Sequence, residues 1–428
     1  MATRRFVRLR RFAGTVPVAA ALAVGLTAFA PPAQADPQVM SFDAAKLRVT
    51  LDATHEAGMY GLYSAVRQDD DAWKGASGVA DVRTRRPVRP DMQHRVGSVT
   101  KTFTATAVLQ LAEQGRLQLD APIAQYLPGT VPGERGQQVT VRMLLNHTSG
   151  IADFVRFAFP SLQRLSPESL DRHRFRTLRA DRLIKWGVES PPTNAPGASW
   201  AYSNTNYIIL GQLLEEVTGV KAETYIQKNV IRPAGLKKTY FPTEPAIYGD
   251  HSRMYEALYR HAEPPREYSV FNMSWIGVAG ALVSTTDDLN TFYRALLTGK
   301  LIGRGALTEM QSTVPVQDAN GNTLMNYGLG LYSMEMPCGT FWGHDGVVFG
   351  SGTQVLSSVD GRRQLALGFN LTKYQQLDGQ GAPTPNAIDN ALGAHFVQAL
   401  CGGKGPLATR SPATSAKPPL PLQFVTRP

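Results

Sequence analysis

The sequence predicts an α/β protein: an antiparallel sheet flanked by N- and C-terminal helices, with an α-rich subdomain inserted between the halves of the sheet. Three observations predict this. Strand-like runs occur early, at 58–66, 74–82 and 93–96, and return only after Trp275. The stretch from Leu119 to about Val270 carries mostly short helix signals and loops. Helical patterns bracket the whole, at 42–57 and 386–401. Strands at both ends of a chain with helices between them are assembled most simply as one sheet built from the two ends plus an insertion. The 428 residues, 43% hydrophobic and 18% charged, have globular composition and enough length for this. The expected parts are α/β at about 40–105 and 276–403, and an α-rich insertion at about 106–275. A cleft between the two is the natural place for an active site.

The elements follow in order. Residues 1–35 read as an export signal. Five arginines end at Arg11, an uncharged apolar-rich run covers 15–30, and Pro31-Pro32 precedes Ala33-Gln34-Ala35, a small-x-small cleavage pattern. The run is short for a bilayer, so no stable membrane span is expected after cleavage; an uncleaved anchor is the alternative. Arg4-Arg5 leaves the Sec and twin-arginine routes both open. A helix follows at 42–57, then the two strand-like runs and an Arg/Pro-rich loop at 83–90. A second helix runs from Ser98 to about Gln114, with Val99, Phe103, Ala107 and Leu111 at helical spacing and Gly115 as its stop. Inside the insertion, helix signals fall at 140–145, 166–187 and 207–218. After Trp275 come a strand at 280–284, a helix at 287–297, and strands at 327–332, 340–343, 353–359 and 364–370. Asp360-Gly361 makes the last pair a hairpin. Residues 404–428, rich in Pro, Ala, Ser and Thr without periodicity, read as a disordered tail.

Charge narrows the function. The chain carries +10, but five cations lie in 1–35 and four in 404–428, with no acid in either segment. Residues 36–403 keep +1, so a basic surface for nucleic acid is not expected. No CxxC, HExxH or clustered histidines occur, and neither metal nor cofactor is expected. Only Cys338 and Cys401 are present; in an exported protein such a pair suggests one disulfide, from a late strand to the last helix, with two buried thiols as the alternative.

Three short motifs carry chemistry. In Ser98-Val99-Thr100-Lys101 the lysine lies one helical turn past the serine, on the same face, where a desolvated amine can take the hydroxyl proton. Tyr202-Ser203-Asn204 puts a phenol and a carboxamide on one short loop, suited to proton transfer and to holding an amide. His344-Asp345-Gly346 ends a strand-like run, and a basic residue before glycine on an edge strand can offer donors to an oxyanion.

Together these motifs resemble the class C branch of the serine beta-lactamase and penicillin-binding superfamily, which has a Tyr-x-Asn second motif and a basic third motif. The stretches 95–101, 193–197 and 202–206, Ser274-Trp275 and the placing of the two cysteines are similar to the secreted D-alanyl-D-alanine carboxypeptidases of streptomycetes. Residues 146–150 and 284–289 are wider family marks. The resemblance covers about 40–403. It implies a beta-lactamase/DD-peptidase-like fold, with Ser98 as nucleophile and Lys101 as its proton partner. Tyr202 would be general base and then acid, leaving open whether it or Lys101 takes the serine proton. Asn204 would hold the substrate amide, and His344 would support Tyr202. The N–H groups of Ser98 and Val347 would form the oxyanion hole, and Trp275 would line the pocket.

Two positions depart from that pattern. Asp345 stands where the carboxypeptidases have threonine. Tyr332 stands where they have an arginine for the substrate's terminal carboxylate; Arg156 and Arg294 are the candidates to compensate. The expected function is an exported, extracellular serine hydrolase, a monomer, acting on D-alanyl-D-alanine peptides near peptidoglycan and acylated by penicillins. A beta-lactamase, an esterase or D-aminopeptidase, and a non-catalytic penicillin- or peptide-binding protein are the alternatives.

Overall fold

The computed structural model describes residues 42–318 and 321–402. The expected export signal and C-terminal tail lie outside the described residues. No helix among the described residues is long and apolar enough to cross a membrane.

The first helix, α1 (Ala44–Glu56), starts where the Asp43 side chain accepts the Lys46 N–H at 3.0 Å. It buries Leu47, Leu51 and Thr54, one face at spacings of four and three. Strands β1 (Gly61–Gln68), β2 (Asp71–Asp81) and β3 (Arg86–Pro87) follow. Helices α2 (Thr100–Glu113), α3 (Asn204–Thr218) and α4 (Thr286–Leu297) come next among the longer elements. Six strands then run as β4 (Val314–Gln317), β5 (Thr323–Tyr327), β6 (Tyr332–Met336), β7 (Gly339–Val348), β8 (Ser351–Ser358) and β9 (Arg363–Phe369). Helix α5 (Ala387–Cys401) closes the fold, capped by Asn386 and Asp389 in a reciprocal capping box.

The strands form one antiparallel sheet in the order β3-β2-β1-β9-β8-β7-β6-β5-β4. The early and late strands join where β1 pairs with β9, from Leu62 opposite Phe369 to Gln68 opposite Arg363. The two ends of the chain therefore share one sheet, as the sequence predicts. Both faces are covered. On one, α1 and α5 bury Leu47, Leu51, Leu367, Leu392 and Phe396. On the other, Val355 and Ala366 join a larger core with α2, α3 and α4. Buried between layers, α2 carries four threonines that satisfy their hydroxyls on nearby carbonyls, such as Thr102 on Gly330 O (2.7 Å) and Thr104 on Val278 O (2.7 Å).

The structure corrects four local expectations. The run at 327–332 is two strands, not one. It turns at Gly328–Leu331 because Gly330 takes φ +80°, where a Cβ would lie 2.5 Å from the Ala105 Cβ. The strand before Ser98 is His94–Arg95, paired with Val283–Ser284 outside the main sheet. Strand β7 is internal rather than an edge, although β6 pairs with it only as far as Gly343. Cys338 lies in the β6–β7 turn rather than on a strand, and it forms the disulfide with Cys401 at the end of α5.

Candidate active site

Ser98 sits in a 3-10 turn, Gly97–Val99, that runs directly into α2. The turn packs against the part of β7 that β6 leaves uncovered. Contact is possible only through two glycines. A Cβ on Gly97 (φ +54°) would lie 2.7 Å from Val347 N, and one on Gly346 would lie 2.0 Å from Val96 O and 2.7 Å from Ser98 N. This close approach sets Gly97 against Val347 N and Gly346 against Ser98 N.

Lys101 follows one turn along α2 and is fully buried. Its Nζ donates to Ser98 Oγ (3.1 Å), Asn204 Oδ1 (2.8 Å) and Ala279 O (2.8 Å). Burial brings its pKa down to about 7, against the opposing pull of Asp153 and Asp345. Tyr202 Oη donates to Ser98 Oγ at 2.7 Å. Burial, with Asp345 and Asp153 nearby, holds that phenol well above its usual range, so it stays protonated. Ser98 Oγ thus lies between an amine and a phenol whose protonation is driven in opposite directions.

The loop carrying Tyr202 is pinned by His147, a residue in left-handed backbone conformation (φ +62°). Ala201 N donates to His147 O (2.9 Å), and Ser203 N donates to its Nδ1 (3.2 Å). The His147 ring lies 4.3 Å from the Tyr202 ring, centroid to centroid. Asn204 opens α3, and its amide is used on both sides: Oδ1 by Lys101, Nδ2 by Asp153 Oδ2 (2.7 Å).

The third motif lies one layer behind. His344 Nε2 meets Tyr327 Oη at 2.8 Å, and its Nδ1 bonds the Asp345 carbonyl. Burial lowers the His344 pKa to about 3, so the ring is neutral. Asp345 is buried beside it and contributes charge felt at Lys101 and Tyr202. Tyr332 is also buried, with its hydroxyl accepting from Gln354 Nε2 (2.9 Å). Neither His344 nor Tyr332 brings a positive charge. Arg294 is committed elsewhere, to Asp69 O (3.0 Å), and exposed Arg156 stacks on Phe157. Trp275 belongs to an aromatic group with Phe159, Phe271 and Phe349, its ring stacked 5.1 Å from Phe349 just past β7.

The structure therefore brings Ser98, Lys101, Tyr202 and Asn204 into one cluster, with Val347 beside Gly97 next to it. His344, Asp345 and Tyr332 form the layer behind it, and Trp275 packs with Phe159, Phe271 and Phe349. Sequence reasoning missed Asp153, His147 and Tyr327. His147 lies in a stretch already marked as family-like; Asp153 and Tyr327 carry no motif of their own. Among the described residues no group of three or more His, Cys, Asp or Glu side chains could hold a metal.

A serine held between an amine and a phenol is an arrangement suited to a serine hydrolase. The chain belongs to the beta-lactamase family, whose model matches residues 45–384. It is 27% identical over 383 residues to a penicillin-binding protein of Bacillus subtilis (strain 168), covering 81% of this chain and 80% of that one. It is 33% identical over 220 residues, about half of each chain, to esterase EstB of Burkholderia gladioli. Its fold is similar to the crystal structure of a D-stereospecific amidohydrolase from Streptomyces sp., with a TM-score of 0.73 and 36% identity over 84% of this chain and 99% of that one.

Proposed function

We propose that this chain is an exported hydrolase that forms an acyl-enzyme on Ser98 and cleaves amide bonds of D-amino-acid substrates. The observation that carries the chemistry is Ser98 Oγ within 3.1 Å of Lys101 Nζ and 2.7 Å of Tyr202 Oη. With its pKa near 7, half of Lys101 is neutral at pH 7. An ordinary lysine near 10.4 would be neutral in roughly one molecule in 2,500. The opposite shift keeps Tyr202 a proton donor. Lys101 is then the acceptor of the Ser98 proton as Oγ bonds the substrate carbonyl. Negative charge on the carbonyl oxygen falls to the N–H groups of Ser98 and Val347. The carbon–nitrogen bond breaks as Tyr202 gives its proton to the leaving amine, and Lys101 returns a proton to Tyr202. Water then releases the acyl group by the same relay in reverse.

The substrate class follows from charge and from the relatives. A peptide ending in a free carboxylate would find no positive charge from His344 or Tyr332 behind the site, and the buried Asp345 carboxylate there would repel it. A desolvated charge contact is worth about 1.5–3 kcal/mol, so lacking one costs roughly ten- to hundred-fold in affinity. D-amino-acid amides avoid that cost, and Asp345 favours a substrate with a positive charge. The 36% identity to a D-stereospecific amidohydrolase supports the same reading. The second reading is a D-alanyl-D-alanine carboxypeptidase working on peptidoglycan peptides, which the similarity of the motif segments to the streptomycete carboxypeptidases favours.

The test compares the mature protein with Ser98→Ala on D-alanine amide and on diacetyl-lysyl-D-alanyl-D-alanine. Ammonia release from the amide exceeding D-alanine release from the peptide, both absent in the variant, is the expected result. The reverse preference establishes the carboxypeptidase. Turnover that survives Ser98→Ala overturns the acyl-serine mechanism. Intact-mass spectrometry with benzylpenicillin is expected to show an adduct in the native protein only.

A further inference from the structure

The Lys101 ammonium has three hydrogens and three acceptors: Ser98 Oγ, Asn204 Oδ1 and Ala279 O. The neutral amine has two hydrogens and a lone pair. A carbonyl and a carboxamide oxygen can only accept, so the two hydrogens stay on Ala279 and Asn204. The lone pair is then left facing the Ser98 hydroxyl, the one partner able to donate. This holds only while Asn204 presents oxygen to Lys101. With the amide turned over, Nδ2 would donate to the amine lone pair and compete with Ser98.

Asp153 fixes which way the amide faces. Its Oδ2 accepts from Asn204 Nδ2 (2.7 Å) and from Asn204 N (3.2 Å), and its Oδ1 accepts from Val155 N (3.0 Å). A turned amide would set Asn204 Oδ1 against the carboxylate, two acceptors with no hydrogen between them. We propose that Asp153 is a positioning residue for the hydrolytic reaction, locking the Asn204 amide so that the lone pair of Lys101 points at Ser98. The inference rests on the acyl-serine reading above. Asp153 also adds negative charge near Lys101. The titratable groups facing Lys101 are Asp153 before the 155–158 helix, Asp345 and His344 on β7, His147, and Tyr202 and Tyr207 around the start of α3. Of these, only the two aspartates hold the Lys101 pKa up.

The experiment measures kcat/KM against pH for the native protein, Asp153→Asn, Asn204→Ala and the double variant. Asp153→Asn is expected to lower the plateau ten-fold or more and to move the acid limb to lower pH. In the Asn204→Ala background the same substitution is expected to leave the plateau unchanged while still moving the limb. A structural role alone would lower the plateau equally in both backgrounds and leave the limb in place. A native plateau and limb in Asp153→Asn, or additive losses in the double variant, overturn the proposal. If Asp153→Asn does not fold, Asp153→Ser is read in the same way, since its hydroxyl can still accept from Val155 N. Ser98→Ala separates the failures: turnover surviving there removes the acyl-serine reading, whereas a silent Asp153→Asn with an inactive Ser98→Ala removes only this inference.

Discussion

The face of the sheet under α1 and α5 and the site around the start of α2 bury different kinds of side chain. Under α1 and α5 the contacts are Leu47, Leu51, Leu367, Leu392 and Phe396, and the one buried histidine, His395, is bonded to Thr50 (2.8 Å) and Ser64 (2.9 Å). Around the start of α2 the interior instead holds Lys101, Asn204, His147, His344 and Asp345, all nearly inaccessible. Apolar burial stabilises by about 25 cal/mol per Å² and asks only for shape. A buried lysine costs stability unless each of its hydrogens has an acceptor, and it has its three. The first contributes apolar burial, and the second sets which groups carry protons.

Substitutions should divide along that line. The largest effect is expected for Lys101→Met: acylation by benzylpenicillin slows on the order of 10²–10⁴-fold with little change in thermal unfolding. A fall in Tm without loss of acylation would erase the contrast. Cys338→Ser with Cys401→Ser opens a loop of 63 residues across the first face. The chain-entropy model gives a loss of about 4 kcal/mol in denaturant unfolding, with turnover per folded molecule retained. Leu367→Ala leaves a cavity at a fully buried position and should cost about 2–5 kcal/mol, again without changing the pH profile. The smallest effect is on the native protein: log kcat/KM should rise with unit slope up to about pH 7 and then level, because Lys101 accepts a proton only when neutral. A limb centred near pH 4 would assign it to a carboxylate and blur the distinction between the two regions.

Much of this was legible in the chain. The helices at both ends, the hairpin at Asp360-Gly361 and the helix opening at Ser98 follow from periodicity and turn residues, which are local. Ser98 and Lys101 are a single helical turn apart, so their contact is also local. Local signals failed where a distant segment decided the outcome. Tyr327 to Tyr332 reads as one strand until Gly330 must make room for Ala105 and Tyr207.

The sequence by itself determined the class of architecture, the contact of Ser98 with Lys101, and the family, because these rest on spacing along the chain. Only the tertiary structure decided the protonation of the site. A lysine at about 7, a neutral His344 and a protonated Tyr202 all result from burial in the assembled fold. Desolvation and hydrogen-bond direction depend on what surrounds an atom in space, and a linear order of residues does not contain that.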